Sequence, residues 1–264
     1  MRVAGLYRYP VKGLSPEPMA RVALAAGAFV PGDRIHAVEN GPSGFDPAAP
    51  VHRSKRHYLM LMRNEQLARL ETAYDHDTGT LVVREAGAEL ARGDLGTQEG
   101  RAAIEAFFAG FMGDALDGPP KVLSAPDGYR FTDSPTGWVS LVNRRSLAEI
   151  EARVGTPVDP LRFRANLVVE DLAPFAEHDL VGCTLAAPSG LRLVVRERTV
   201  RCAATNVDPA TGIRDLAIPR TLMQAFGHMD CGVYAEVVAD GTIAVGERLA
   251  IVAPEARPAA SLPF

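Results

Sequence analysis

The sequence predicts a mainly β (α+β) fold, with two barrel-like β subdomains and a few short helices. Three observations carry that expectation. Short apolar or alternating runs, bounded by Gly, Pro, Asp and Asn, recur along the whole chain. Helical periodicity is confined to a few stretches. Strands and helices do not alternate regularly, which argues against a parallel βαβ sheet and for barrel-like β architecture.

Taken in order, residues 3–9 read as a strand closed by Pro10, followed by a loop through Val11, Lys12 and Gly13. Residues 21–24 and 34–38 read as further strands, with Pro31-Gly32-Asp33 as the turn between them. Residues 41–50 form a polar loop, and 58–62 a buried-strand candidate. Asn64 is positioned to cap a short helix carrying Leu67 and Leu70. A turn over 75–79 precedes a strand at 81–83. The clearest helix spans 97–112: Ile104, Phe107, Phe108 and Phe111 fall on one face, and Gly113 stops it. That aromatic stripe reads as core.

Asp117-Gly118-Pro119-Pro120 is the one seam, and it divides the chain into 1–118, 119–254 and a Pro/Ala-rich tail, 255–264. Strands follow at 121–124 and 137–142. Ser146 and Glu149 have capping-box spacing for a helix carrying Leu147, Ile150 and Val154, ended by Gly155. The remaining strands fall at 167–170, 191–195, 233–238 and 248–252, with a short helix at 219–226 before Gly227.

A chain of 264 residues can bury a full core, and 47% hydrophobic with 23% charged residues is ordinary for a soluble globular protein. A formal charge of −4 without a basic block points away from nucleic acid. Three lysines stand against 25 arginines. The N-terminus lacks the apolar core of a signal peptide, and the softest apolar run, 23–30, is too short to span a bilayer. Cys183, Cys202 and Cys231 form no CxxC pair, so a disulfide framework or cysteine-rich zinc site is not expected, and the expected compartment is a reducing cytoplasm. The six histidines show no ligand spacing.

Four polar clusters have no obvious structural duty. Lys12 lies just past a strand end, Asp33-Arg34 at a strand start, Arg164 and Asn166 at the entry to an apolar strand, and Arg201-Cys202 between a β-type run and the turn Asp208 to Gly212. A thiol beside a fixed cation is favoured as thiolate, which is both nucleophile and metal ligand. A lone cysteine equally fits a small buried hydrophobe, and each charge taken alone fits a solvated surface. Together the clusters would supply cations for a phosphate, amide groups for a heterocycle and a thiolate for a metal.

With these clusters the chain resembles the molybdenum cofactor sulfurase C-terminal (MOSC) domain family with its N-terminal β-barrel domain. The architecture is similar to that of the mitochondrial amidoxime reducing component and its bacterial relatives. The matching pieces run in order: YPVKG at 9–13, GDR at 32–34, TDSP at 132–135, RFRANLVVE at 162–170, PFAEHDLVG at 174–182, RCAATNVDPATG at 201–212, GVYAEV at 232–237 and DGTIAVGERL at 240–249. Gly13 stands where the family often has serine, and Ala165 where it usually has proline. No cysteine cluster follows Val252, so a fused iron–sulfur domain is not expected.

The resemblance implies a cleft between the subdomains holding a molybdenum–molybdopterin cofactor, with Cys202 as catalytic residue and protein ligand to the metal. Lys12 and Arg34 would hold the phosphate end. Asp133, Ser134 and Arg201 would lie beside the cofactor. Arg164 and Asn166 would bind pterin or phosphate, and Tyr234 would approach from a neighbouring strand. Asp208 and Thr211 would shape the turn. The implied activity is an oxidoreductase reducing small N-oxygenated substrates, with electrons from a separate ferredoxin- or flavoprotein-type donor and no nucleic-acid or membrane partner. A sulfur carrier with a persulfide on Cys202, or a non-catalytic cofactor-binding module, are the alternatives.

Overall fold

The computed structural model describes residues 1–253 apart from Pro135 and Gly137. The predicted tail, 255–264, and the start of the strand predicted at 137 lie outside the described residues. The fold is mostly β with few helices, as the short runs predict. In chain order the elements are β1 Arg2–Arg8, β2 Glu17–Pro18, β3 Arg21–Leu24, β4 His36–Val38, β5 Leu70–Tyr74, β6 Thr80–Glu85, β7 Ala88–Asp94, α1 Gln98–Met112 and β8 Val122–Ser124. They continue with β9 Val139–Asn143, α2 Arg144–Val154, β10 Leu167–Glu170, β11 Thr184–Ala186, β12 Arg192–Val200, α3 Ile218–Phe226, β13 Asp230–Ala239, β14 Gly241–Ala244 and β15 Ala250–Val252.

A curled eight-stranded sheet runs β15-β11-β12-β13-β9-β10-β1-β2. Among the described strands of this sheet only the β9–β10 pair is parallel, and α2 makes its crossover. β9 is buried along its whole length, as a strand covered on both faces must be. Its Val139 and Leu141 face one core with Val3, Leu6, Val195 and Val233, while Val142 faces the other with Leu147, Ile150 and Leu222 from α2 and α3. The three-stranded sheet β5-β6-β7 packs under α1, whose Ile104, Phe108 and Met112 join Leu67, Leu81 and Val83. Thr97 caps α1 by accepting from the Gly100 amide.

The two halves of the sequence interlock. β1 pairs with β10, and β3 pairs with β14 over Val22↔Ile243. Val3, Leu6, Leu24 and Val30 therefore belong to the core built mainly by residues beyond 138. In return, Val207 packs into the core of α1 and β5–β7.

Three local expectations are corrected. Residues 58–62 form no strand, although 58–61 are buried; pairing stops at the Glu39↔Tyr58 bridge, and the chain turns as the Arg63 and Asn64 amides donate to the Met60 carbonyl. Continuous apolar runs carry burial but no period. Asn64 makes no helix-capping bond, its side chain accepting instead from the Met60 amide at 3.3 Å, and only a short 3-10 turn, Glu65–Arg69, follows before Leu70 enters β5. α2 starts two residues before Ser146: Asn143 caps it, while the Ser146 hydroxyl donates to the buried Glu177 carboxylate at 2.7 Å.

Gly232 at the start of β13 sits at φ 82°, and a Cβ there would lie 2.2 Å from the Leu141 carbonyl oxygen and 2.9 Å from a terminal nitrogen of Arg201. Gly232→Ala should therefore destabilise the protein by roughly 2–4 kcal/mol, combining left-handed strain with backbone overlap. Urea denaturation followed by circular dichroism measures this; an unchanged midpoint would show that the sheet yields there.

Candidate functional site

A cavity of about 450 Å³ opens between the halves, and every residue singled out for the site lines it: Lys12, Arg34, Asp133, Ser134, Arg164, Asn166, Arg201, Cys202 and Tyr234. The chain brings them there by different routes. β1 ends at Arg8, and the following segment pairs with β4 through Val11↔His36, which turns Lys12 inward. The Lys12 ammonium is buried and donates to the Phe131 carbonyl at 2.9 Å and to Asp133 Oδ1 at 2.5 Å. Burial pulls its pKa below the ordinary lysine value, and Asp133 opposes that shift.

Asp133 receives a second lysine, Lys55, at 3.1 Å. Burial would raise the Asp133 pKa, but the two ammonium charges outweigh it and hold the carboxyl well below the usual carboxylate range. The same Lys55 ammonium donates to Cys202 Sγ at 3.4 Å. Burial works against the Lys55 charge, yet Asp133 and Cys202 raise its pKa above the ordinary value.

Arg34 and Arg164 both occupy left-handed backbone, at φ 50° and 51°. Arg34 pairs with Asp33 through one nitrogen and donates to the Arg164 carbonyl at 3.0 Å through another. Arg164 ends the 3-10 turn Pro160–Phe163 and donates to the Leu14 carbonyl at 2.7 Å. Burial pulls the Arg164 guanidinium down to about 10, and the neighbouring Arg34 charge adds to that shift. Arg201 is 8% exposed and donates to the carbonyls of Cys231, at 2.6 Å, and Phe163, at 3.0 Å. One terminal nitrogen of Arg164 and one of Arg201 are buried without an acceptor among the described residues. Unpaired buried donors of this kind are costly, so both fit an acceptor-rich anion in the cavity.

The remaining expected residues are placed with less freedom. Asn166 accepts from the Ser140 amide and hydroxyl at 3.1 and 2.9 Å and donates to the Tyr7 carbonyl at 3.2 Å, so it joins β1, β9 and β10. The Ser134 hydroxyl meets Thr136 at 2.6 Å. Burial raises the Tyr234 pKa. Gly13, at φ 83°, would place a Cβ 2.7 Å from the Leu59 carbonyl oxygen, so a serine hydroxyl has no room there without a shift. Asp208 shapes its turn through the amides of Ala210 and Thr211 and pairs with Arg162, which Asp215 also grips at 2.7 and 2.8 Å.

Cys202 begins the 3-10 turn Ala203–Asn206, which follows β12. Its thiol is partly exposed. Cys183 packs against the main sheet core, and burial pushes the fully buried Cys231 thiol up to about 12. The cation at the Cys202 sulfur is Lys55: the guanidinium of adjacent Arg201 is engaged with Cys231 and Phe163 instead. Sequence reasoning missed Lys55, along with Trp138, Phe163 and the stretch Met60 to Met62 in the cavity wall. The only hint in the sequence is the scarcity of lysine in an arginine-rich chain; that Lys12 and Lys55 meet on one carboxylate is visible only in the fold.

Two family models match the chain: the MOSC N-terminal beta barrel domain over residues 1–117 and the MOSC domain over residues 128–250. No curated protein matches it. Among solved structures, the YuaD protein from Bacillus subtilis is similar at 14% identity and a TM-score of 0.46, covering 96% of each chain. YiiM from Geobacillus stearothermophilus is similar at 21% identity and a TM-score of 0.35, over 47% of this chain and 57% of its own. On the two matches that together span nearly its whole length, the chain belongs to the MOSC family, as a MOSC N-terminal β-barrel domain followed by a MOSC domain.

Proposed function

We propose that this protein is an oxidoreductase that binds a molybdenum–molybdopterin cofactor and removes oxygen from small N-hydroxylated substrates. The observation that carries the reading is the convergence in one cavity of a half-buried cysteine with buried arginine donors that lack acceptors among the described residues. A phosphate-bearing ligand answers the donors, and a soft thiolate suits a molybdenum–sulfur site.

In this reading Arg34, Arg164 and Lys12 hold the anionic end of the cofactor. Cys202 Sγ is the protein's ligand to the metal. The bound cofactor supplies two-electron reduction, with electrons arriving from a separate ferredoxin- or flavoprotein-type donor. Lys55 Nζ touches Cys202 Sγ and carries three protons, of which Asp133 and the sulfur engage two. It is the group placed to give a proton to the departing oxygen. Phe163, Trp138 and Met60 supply apolar wall, which excludes water and strengthens the polar contacts.

Cys202→Ser should abolish reduction of an N-hydroxylated model substrate with an artificial electron donor while leaving the fold intact. Cys183→Ser should keep full activity, and Cys231→Ser should lose stability rather than turnover per folded molecule. Molybdenum is measured by elemental analysis on protein from a host that makes molybdopterin. Full activity in Cys202→Ser would remove the metal-ligand role; protein that never holds molybdenum but carries sulfane sulfur on Cys202 would establish the persulfide carrier instead.

Arg34→Ala and Arg164→Ala should each weaken cofactor retention by about 1.5–3 kcal/mol, the value of a charge-assisted hydrogen bond. Pterin fluorescence after acid release reads the occupancy. Equal occupancy in mutants and parent would place the anion elsewhere.

A further inference from the structure

Tyr9 is absent from the cavity wall, yet it touches two of the arginines that line it, Arg34 and Arg164. Its side chain is fully buried, and its ring lies against two guanidinium groups, with Arg164 Cζ 4.2 Å and Arg34 Cζ 4.8 Å from the ring centroid. The backbone reinforces this: the Tyr9 carbonyl accepts from the Arg34 amide at 2.7 Å, and the Tyr9 amide donates at 2.7 Å to Asp33, the carboxylate that pairs with Arg34. The Tyr9 hydroxyl reaches the carbonyl of Ala165, the residue after Arg164, at 3.4 Å. Burial pushes the phenol up to about 12, so the ring stays neutral at physiological pH.

The Arg34 charge acts against the Arg164 charge, and Asp33 is the one carboxylate paired with either of them among the described residues. Both also hold φ values of 50° and 51°, which non-glycine residues rarely adopt unless their surroundings impose it. An aromatic ring lets guanidinium groups settle against it without neutralising them.

We propose that Tyr9 is a positioning residue whose ring holds Arg34 and Arg164 together as a paired clamp for one doubly charged phosphate group. This rests on the reading that the two arginines meet the phosphate end of the cofactor. The ring sets the direction of the guanidinium groups while leaving their charge available to the anion.

The test uses the full chain made in a host without molybdopterin, titrated with inorganic phosphate by calorimetry. Tyr9→Phe should bind phosphate like the parent. Phenylalanines of increasing fluorine content at position 9 keep the ring's shape while draining its negative face. Affinity should fall stepwise along that series to about tenfold below Tyr9→Phe, the loss expected for a desolvated cation–π contact. Tyr9→Leu should lose at least as much. An affinity that stays flat across the fluorinated series, with Arg34→Met and Arg164→Met each weakening phosphate binding, would overturn the role of the ring alone. Phosphate affinity unchanged in both arginine variants would overturn the anion clamp itself and the Tyr9 proposal with it.

Discussion

Positive charge gathered inside one cavity is the constraint to which the surrounding structure is fitted. Lys12, Arg34, Arg164 and Arg201 are largely withdrawn from water at the joint between the halves, and an uncompensated charge in such a place costs several kcal/mol. Compensation comes mainly from backbone carbonyls of distant segments: Phe131 for Lys12, Leu14 for Arg164, Arg164 itself for Arg34, and Phe163 and Cys231 for Arg201. Each of these bonds fixes where another part of the chain must run. Satisfying the cations and holding the halves together are thus one set of contacts.

The interlocked topology follows the same logic. Lys12 can reach Phe131 and Asp133 because β1 is anchored in the sheet of the second half, four residues upstream. Were β1 part of a separate N-terminal barrel, the loop carrying Lys12 would approach the cavity on a flexible connection. Arg164 gains its bond to Leu14 from the same anchoring, seen from the other side. The left-handed backbone at both arginines is the strained end of this arrangement, costing of order 1–3 kcal/mol each and held by the bonds their side chains make.

Much of this was legible in the sequence where the signal was local. The apolar face and Gly stop of α1, the runs of β1, β3 and β10, and the motif residues around the cavity all stand in the chain as short-range patterns. What escaped depends on partners far away. Lys55 gains its meaning from Asp133 and Cys202, 78 and 147 residues on. Arg201 and Cys202 are neighbours in sequence, but successive side chains at a strand end diverge, so adjacency named the wrong cation for the sulfur. Ser146 has capping-box spacing yet serves Glu177, and Leu70 has helical spacing from Leu67 yet opens β5. β7 carries small and charged residues, and its strand character comes from pairing with β6 rather than from propensity.

The chemistry of the site divides along the same joint. The first half contributes Lys12, Arg34 and Lys55; the second contributes the thiol, Asp133, Arg164 and Arg201. Among the described residues, no three His, Cys, Asp or Glu side chains gather as a metal-ligand set. Under the proposed function the energy of holding the cofactor falls on the charged end of the cavity, and the sulfur contributes direction and electronic tuning. Asp133 connects the two ends, because its carboxylate accepts from Lys12 beside the arginines and from Lys55 beside the sulfur. A change in charge at either end is thus felt at the other, through Asp133 and through the direct repulsion between Lys12 and Lys55.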